Sequence, residues 1–290
     1  MSLSRTYTTR EVAQMWNVSE STVKRWADSG ALRCRRTPGG HRRFILQDIH
    51  EFQRERGFET TGLLTSEHWE NPNIEIFLNQ KNFEEVRKQL LYLATRNQRM
   101  QIKELLERLY LRGVGLVEIY DQILVPILEA ALSRRRGGEI TGGQIRLISN
   151  NLEESMSYMF PQVIRRRPNG KMGLCATPDS FRPLTVNGIA RILETDGWEC
   201  LNLGSSVSFQ MVAEMVRREP VNLVCLVSTG EDHPSDGVEF FTEVIEEYRL
   251  PVLLYGQGFE SHELEHVFHD CQHFNCLSDL RHSVATVHRA

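Results

Sequence analysis

The stretch from Thr8 to Phe44 constrains the fold most, because its apolar residues recur at helical spacing in two short runs. Thr8 or Thr9 can cap the first helix and Ser19 the second, since side-chain oxygens there accept hydrogen bonds from free backbone N–H groups. Residues 17–18 interrupt the helical pattern. Two short helices joined by about three or four residues predict a helix-turn-helix, whose second helix fits the major groove of DNA.

The second predicted helix is amphipathic. Val23 and Trp26 form its apolar face. The side chains on its other faces carry hydroxyl or basic groups, and they belong to Ser21, Thr22, Lys24 and Arg25.

A tight turn at residues 38–40, with the sequence Pro-Gly-Gly, follows between two short extended arms. Basic side chains crowd around its tip, where they can meet phosphate oxygens. They are Arg33, Arg35, Arg36, His41, Arg42 and Arg43. A solvated basic hairpin without a DNA-binding role is the alternative interpretation.

The segments EVAQMWNVSESTVKRWADSG and RTPGGHRRF together resemble the winged helix-turn-helix of the MerR family of transcriptional regulators. The likeness is to the branch that carries a cobalamin-binding domain behind this head, the light-responsive carotenoid-regulator type. The resemblance implies that the second helix enters the major groove and that the wing straddles the backbone of double-stranded DNA. It also implies two sets of DNA-binding residues, with Ser21, Thr22, Lys24 and Arg25 at the bases and nearby phosphates, and Arg35, Arg36, His41, Arg42 and Arg43 in the wing.

Charge is distributed unevenly along the 290 residues. The first 56 residues hold 11 Lys and Arg against 6 Asp and Glu, a net charge of +5, whereas the remainder holds 23 against 32, a net charge of -9. A basic head fits nucleic acid, and the acidic remainder indicates another role. No apolar run has the length of a membrane span and no secretion signal is present, so we expect a cytoplasmic protein that does not engage membranes. Six cysteines without a CxxC pair predict reduced thiols.

The pattern after the head predicts a linker and then helices. Residues 1–57 form the predicted winged helix-turn-helix domain, and residues 58–73 read as a linker because turn-forming residues replace the periodic pattern. Residues 74–166 contain four apolar stripes at helical spacing, which predict a four-helix bundle with these residues as its core.

Residues 167–290 change to short apolar runs that alternate with helical segments. Strands are predicted at 172–176, 200–203, 223–227 and 252–255, with a fifth at 274–277. Alternating strands and helices imply a parallel, Rossmann-like (flavodoxin-like) sheet with helices on both faces. The predicted chain is therefore multi-domain, α and α/β, with a ligand crevice beyond the carboxyl ends of the strands.

The cobalamin signatures of the MerR branch are degenerate in this chain. In that branch, the helical bundle carries a Trp, nine residues and then Glu-His over the cofactor; this chain has Arg135 at the Trp position and Ile145-Arg146 at the Glu-His position. In the branch, the loop after the first strand has the motif Asp-x-His-x-x-Gly, whose His ligates cobalt; this chain has Phe181 in place of the His and Leu184 in place of the Gly. A Gly-Gly pair of the branch corresponds to Tyr255-Gly256 here. The resemblance thus implies the fold without cobalamin.

The cleft between bundle and α/β domain is the predicted ligand pocket. Aromatic side chains suit either space filling or stacking on a conjugated ligand, and arginines can pair with propionates. The candidate pocket residues are Arg135, Arg146, Phe181, Arg182, Ser228, Tyr255 and Gly256. Biliverdin, or haem with a His or Cys ligand, are the candidate chromophores, and a domain without any ligand is the alternative.

Other chemistry has weaker signals. His262, His266 and His269 share a helical face, with His273, Cys271 and Cys276 nearby, but the acidic residues among them equally fit a solvated helix. The loop residues Glu231, Asp232, His233 and Asp236 lie where polar residues are expected with or without a ligand. No nucleophile elbow, phosphate loop or strong acid-base pair is present, so we predict no metal and no catalytic residues.

The sequence therefore predicts a DNA-binding transcriptional regulator that is not an enzyme. Its C-terminal region would form a homo-oligomer, a dimer or tetramer, and is a candidate sensor for a ligand other than cobalamin. The rival hypothesis is a cobalamin-dependent photoreceptor regulator or enzyme module.

Overall fold

A computed structural model describes residues 6–58, 72–160, 168–229, 237–260, 268 and 271–287. The chain divides into two compact units. The first unit comprises residues 1–119 and 150–164, and the second comprises residues 120–149 and 165–290.

The first unit begins with the predicted helix-turn-helix. Thr8 caps α1 in a capping box, because its side chain accepts from the Glu11 N–H while the Glu11 carboxylate accepts from the Thr8 N–H. Ser19 caps α2 by accepting from the Thr22 N–H. Both predicted caps are confirmed. The elements of the head are α1 (Thr9–Met15), α2 (Glu20–Asp28), β1 (Arg35–Arg36), β2 (Arg42–Arg43) and α3 (Leu46–Arg56).

An aromatic cluster fixes α2 against α3. The Trp26 ring on α2 lies 5.0 Å from the Phe52 ring on α3 and 5.8 Å from Trp16, measured between centroids. Phe58 closes the cluster at 5.3 Å from Trp26. Because these rings occupy the inner face of α2, its polar face is left for solvent.

The helical middle of the chain is divided between the two units. A π-helix at Tyr120–Leu124 joins α7 to α8 without a break. The apolar stripe that the sequence predicts as a single helix in this region therefore runs through three successive helical segments. The elements are α4 (Ile74–Asn79), α5 (Phe83–Thr95), α6 (Arg99–Leu111), α7 (Leu116–Ile119), α8 (Val125–Arg136) and α9 (Gly142–Met159).

The second unit contains a five-stranded parallel sheet with the order β4-β3-β5-β6-β7. This order corresponds to 2-1-3-4-5, the flavodoxin-like arrangement, and it confirms the predicted fold class. The strands are β3 (Met172–Thr177), β4 (Glu199–Ser205), β5 (Leu223–Val227), β6 (Val252–Tyr255) and β7 (Gln272–Phe274). The helices are α10 (Pro183–Thr195), α11 (Phe209–Arg218), α12 (Val238–Tyr248) and α13 (Leu280–Val287).

The fifth strand differs from its prediction. It ends at Phe274, and Leu277 begins a short 3-10 helix, Leu277–Asp279. The run 274–277 that predicted one strand is divided between two elements, since Phe274 ends the strand and Leu277 begins the 3-10 helix. Leu277 is apolar because it is buried, not because it belongs to a strand.

The sheet is buried on both faces. Leu174, Val224 and Leu254 pack with α11 and α12 on one face. Cys175 and its register partner Cys225 are also fully buried. None of the six cysteines, all of which lie in the described ranges, forms a disulfide. Within the described ranges, no helix is both long and apolar enough to span a membrane.

Candidate functional site

The outer face of α2 presents part of the predicted DNA-reading set. Ser21, Lys24 and Arg25 are exposed. Thr22 is half-buried, and its hydroxyl lies 2.9 Å from the Ser19 hydroxyl at the helix cap. Lys24 and Arg25 therefore carry the positive charge on this helix.

The wing is a short antiparallel hairpin. Its turn is closed by hydrogen bonds between Thr37 and His41 and from the Gly40 N–H to the Thr37 carbonyl, at 2.9 and 2.8 Å. Gly40 has φ 77°, a backbone conformation that glycine adopts without strain. Arg35, Arg36 and His41 are exposed, whereas Arg42 and Arg43 are half-buried.

Asp28, at the end of α2, joins the recognition helix to the wing, and the sequence-based prediction missed it. Its carboxylate accepts hydrogen bonds from Arg42 at 2.5 Å and from Arg36 at 3.0 Å. Hydrogen bonding by Arg42 lowers the pKa of the Asp28 carboxyl. Arg42, with 17% of its side chain exposed, thus holds the wing in place rather than extending into solvent.

In the second unit, the predicted pocket residues lie at the carboxyl edge of the sheet. Asp179, in the loop after β3, is fully buried and accepts hydrogen bonds from the loop after β5. The donors are the Ser228 hydroxyl at 3.0 Å, the Thr229 N–H at 2.7 Å and the Thr229 hydroxyl at 3.1 Å. Burial raises the pKa of Asp179, and these hydrogen bonds oppose that effect.

Phe181 brings two of the predicted arginines together. The guanidinium carbons of Arg135 and Arg146 lie 4.3 and 5.1 Å from the centre of its ring. Gly142, at the start of α9, lies so close that an added Cβ would be 3.2 Å from the ring. The ring is therefore packed directly against the helical segment, with both cations stacked on it.

Arg182 is the third predicted arginine, and it is 2% exposed. Its guanidinium donates two hydrogen bonds to the carboxylate of Glu129 on α8. Glu129 was not predicted, because an isolated acidic residue on a helix gives no sign of a partner 53 residues away.

Tyr255 and Gly256 complete the predicted set at the end of β6. The Tyr255 ring packs edge-on against Phe274 at 5.3 Å, and burial raises its pKa to about 12. Gly256 has φ 89°, and an added Cβ would lie 2.4 Å from the Ser228 carbonyl oxygen. The loops after β5 and β6 are thus in close contact.

Among the residues that the structure describes at this edge, the loop after β3 and the Cys276 thiol do not provide a cobalt or haem ligand. The segment 178–184 contains no histidine. The Cys276 thiol contacts Asp279 at 2.8 Å, and burial together with that carboxylate raises its pKa, which disfavours the thiolate that a metal requires. The Asp179 carboxylate already accepts three hydrogen bonds.

The other candidate ligands are only partly described. Within the described ranges, no three His, Cys, Asp or Glu side chains form a metal-binding group. His262, His266 and His269 lie outside these ranges, as do Glu231, Asp232, His233 and Asp236, so those predictions stay untested.

Comparisons with known proteins define the class. Residues 6–57 match the family model described as "Helix-turn-helix domain". No curated protein matches the chain. The monomethylamine corrinoid protein of Methanosarcina barkeri is similar in structure, with a TM-score of 0.54 and 13% identity over 71% of this chain and 99% of that one. The chain thus carries a helix-turn-helix domain at residues 6–57, and its fold over most of its length is similar to that of this corrinoid protein.

Two further structures have lower scores. A novel cobalamin-binding protein from Desulfitobacterium hafniense DCB-2 has a TM-score of 0.32 and 13% identity, over 73% of this chain and 96% of that one. The methanol:cobalamin methyltransferase complex of Methanosarcina barkeri has a TM-score of 0.36 and 12% identity, over 94% of this chain and 93% of that one.

Proposed function

We propose that this chain is a MerR-type transcriptional regulator that binds double-stranded DNA through its winged helix-turn-helix. The observation that carries the proposal is the surface formed by α2 and the wing. Its exposed cations are Lys24, Arg25, Arg35 and Arg36, and Asp28 joins helix and wing into one body. A basic helix beside a basic hairpin is suited to one major groove and the adjacent phosphates.

In this proposal, Lys24 and Arg25 contact the bases and so determine which DNA sequence is preferred. They lie on the exposed face of a helix whose opposite face is fixed by aromatic packing. Arg35 and Arg36 contact phosphates, which adds affinity without sequence preference.

The regulator acts as a homo-oligomer, a dimer or a tetramer. One helix-turn-helix unit touches too few base pairs to select a site by itself, so repeated half-sites require at least two heads. The region that follows the head supplies the association.

Regulation by biliverdin or haem, with a response to light, is the hypothesis that the sequence raised for the second unit. It would use Arg135, Arg146 and Arg182 to pair with propionates. Arg135 and Arg146 stack on Phe181, and Arg182 donates to Glu129. Because the groups that would pair with propionates already have these partners, the proposal includes no chromophore. It also assigns no catalytic step to the chain.

A gel-shift titration with the full chain tests the DNA-binding proposal. Arg35→Ala should weaken binding to every duplex and reduce the salt slope by about 0.9, because one phosphate contact is lost. Lys24→Ala should also change which sequence is preferred. Arg218→Ala, an exposed arginine on α11, is the matched control and should leave binding unchanged. Unaltered affinity and slope in both head variants would exclude this surface as the DNA contact.

A further inference from the structure

The sheet topology fixes where a ligand crevice would lie in the second unit. The strand order reverses between β3 and β5. In open α/β sheets, ligands bind beyond the carboxyl ends of the strands at this point. The loops after β3 and β5 therefore decide whether the crevice is open.

Asp179 bridges that point. Its two carboxylate oxygens accept three hydrogen bonds from Ser228 and Thr229, so the two loops are joined rather than separated. At the ends of the two strands, the hydroxyl of Thr177, the last residue of β3, donates to the carbonyl of Val227, the last residue of β5, at 2.6 Å. The loop after β6 packs onto the same place, since Gly256 leaves no room for a Cβ beside the Ser228 carbonyl.

Above the loops, the helical segment 120–149 is in direct contact with the sheet edge. Phe181 packs under Arg135, Arg146 and Gly142. The buried guanidinium of Arg182 bonds to Glu129. These contacts lie at the carboxyl edge of the sheet, where a ligand of this fold would bind.

The π-helix makes two further attachments. Asp121 accepts from the backbone N–H groups of Leu277 and Ser278, at 2.7 and 2.8 Å. Tyr120 packs so closely on Gly188 that an added Cβ would lie 2.9 Å from its ring. The segment is thus attached along its length, not only at Phe181.

We infer that the segment 120–149 closes over the carboxyl edge of the sheet through this chain's own side chains, and that the unit takes up no corrinoid or other tetrapyrrole there. A macrocycle would have to separate Phe181 from two cations and break the hydrogen bonds from the buried Arg182 guanidinium to Glu129. Loss of a carboxylate partner is unfavourable for a guanidinium that is held out of water.

This closure has a consequence for regulation. A regulator whose crevice is filled by its own side chains is not switched by loading a pigment at that place. The inference stands independently of the DNA-binding proposal, since its tests measure the second unit only. Loss of DNA binding by the head would leave it intact.

Pigment retention is the first test. The full chain is incubated separately with hydroxocobalamin, haemin and biliverdin, passed through gel filtration, and its visible spectrum recorded. We expect no pigment to co-elute in stoichiometric amount. Retention of one equivalent of any of the three would overturn the inference.

Hydrogen exchange of the wild type and two variants is the second test. Glu129→Gln weakens the bond to Arg182, and Phe181→Leu removes the stacking surface while it keeps an apolar side chain. Each should speed exchange of the amides of residues 120–136 at least tenfold. Glu139→Gln is the matched control, because Glu139 is exposed and lies 3.6 Å from Arg134. Unchanged exchange in both variants, with folded spectra, would show that these contacts do not hold the segment closed.

Discussion

Asp28 is an acidic residue on a surface that otherwise attracts DNA. It accepts from one arginine on each strand of the wing, Arg36 on β1 and Arg42 on β2. The carboxylate therefore fixes the position of the hairpin relative to α2. Its partner Arg42 is the less exposed of the two arginines, which makes Arg42 the structural member and Arg36 the one available to phosphate.

We predict that the pKa of Asp28, followed by carboxyl-carbon NMR, lies below its ordinary value of 3.8. Because the pKa is lowered in the folded head, the attachment of the wing persists as the pH falls through 3.8 and is lost only when the carboxyl protonates. Arg42→Ala should return the pKa towards the ordinary value, and more so than Arg36→Ala. His41→Ala is the control. An equal pKa in the wild type and the Arg42 variant would contradict the attachment.

The site could be predicted from sequence only in part. Lys24, Arg25, Arg35 and Arg36 follow from local patterns, since the order of helix, turn and basic hairpin is visible in the sequence. The stacking of Arg135 and Arg146 on Phe181 and the bond from Arg182 to Glu129 depend on packing between distant segments. Periodicity contains no information on such pairs.

At the scale of elements, the short helix α4 is held to α6 by charge. Glu75 on α4 binds Arg108 and, at 2.5 Å, Arg112 on α6. The two arginine side chains are 2% and 8% exposed. Arg108 also pairs with Glu104 at 2.7 Å, so Glu75 is one of two carboxylates that hold these largely buried guanidinium groups.

Glu75→Ala should lower the free energy of unfolding by about 3 kcal/mol, because Arg112 loses its carboxylate partner and Arg108 loses one of its two. Glu84→Ala removes an exposed pair with Lys88 and should change the free energy of unfolding much less than Glu75→Ala does, because solvent screens this pair. Urea denaturation of both variants measures the difference. Equal midpoints for the two variants would show that Glu75 does not stabilise α4 on α6.

Elements with a strong period were predicted well, and interruptions were not. The strands β5 and β6 have the predicted ends, 223–227 and 252–255. The π-helix was not predicted, because one extra residue in a turn barely changes the spacing of apolar residues. It is nevertheless the element that places Asp121 and Tyr120 against the sheet unit.

At the scale of the whole molecule, the helical middle of the chain does not form a unit of its own. Residues 120–149 belong with the sheet, and residues 150–164 belong with the first unit. Sequence patterns locate helices but do not say which neighbours they pack against. The predicted domain boundaries, at residues 57, 73 and 166, stay a prediction.

The proposed function requires association. We predict that sedimentation equilibrium of the full chain gives a mass of two or four times 33.5 kDa at micromolar concentration. The reason is that a selective operator needs at least two heads. A monomer, both free and with DNA, would contradict this part of the proposal.

Selection of duplexes from a random pool by the full chain tests the central claim most directly. We predict that the wild type enriches a sequence with two copies of a half-site, whereas the Lys24→Ala/Arg25→Ala double variant binds DNA in a salt-dependent way but enriches none. Arg218→Ala, the control, should enrich the wild-type sequence. Failure of the wild type to enrich any sequence, or enrichment of the same sequence by the double variant, would contradict sequence reading by α2.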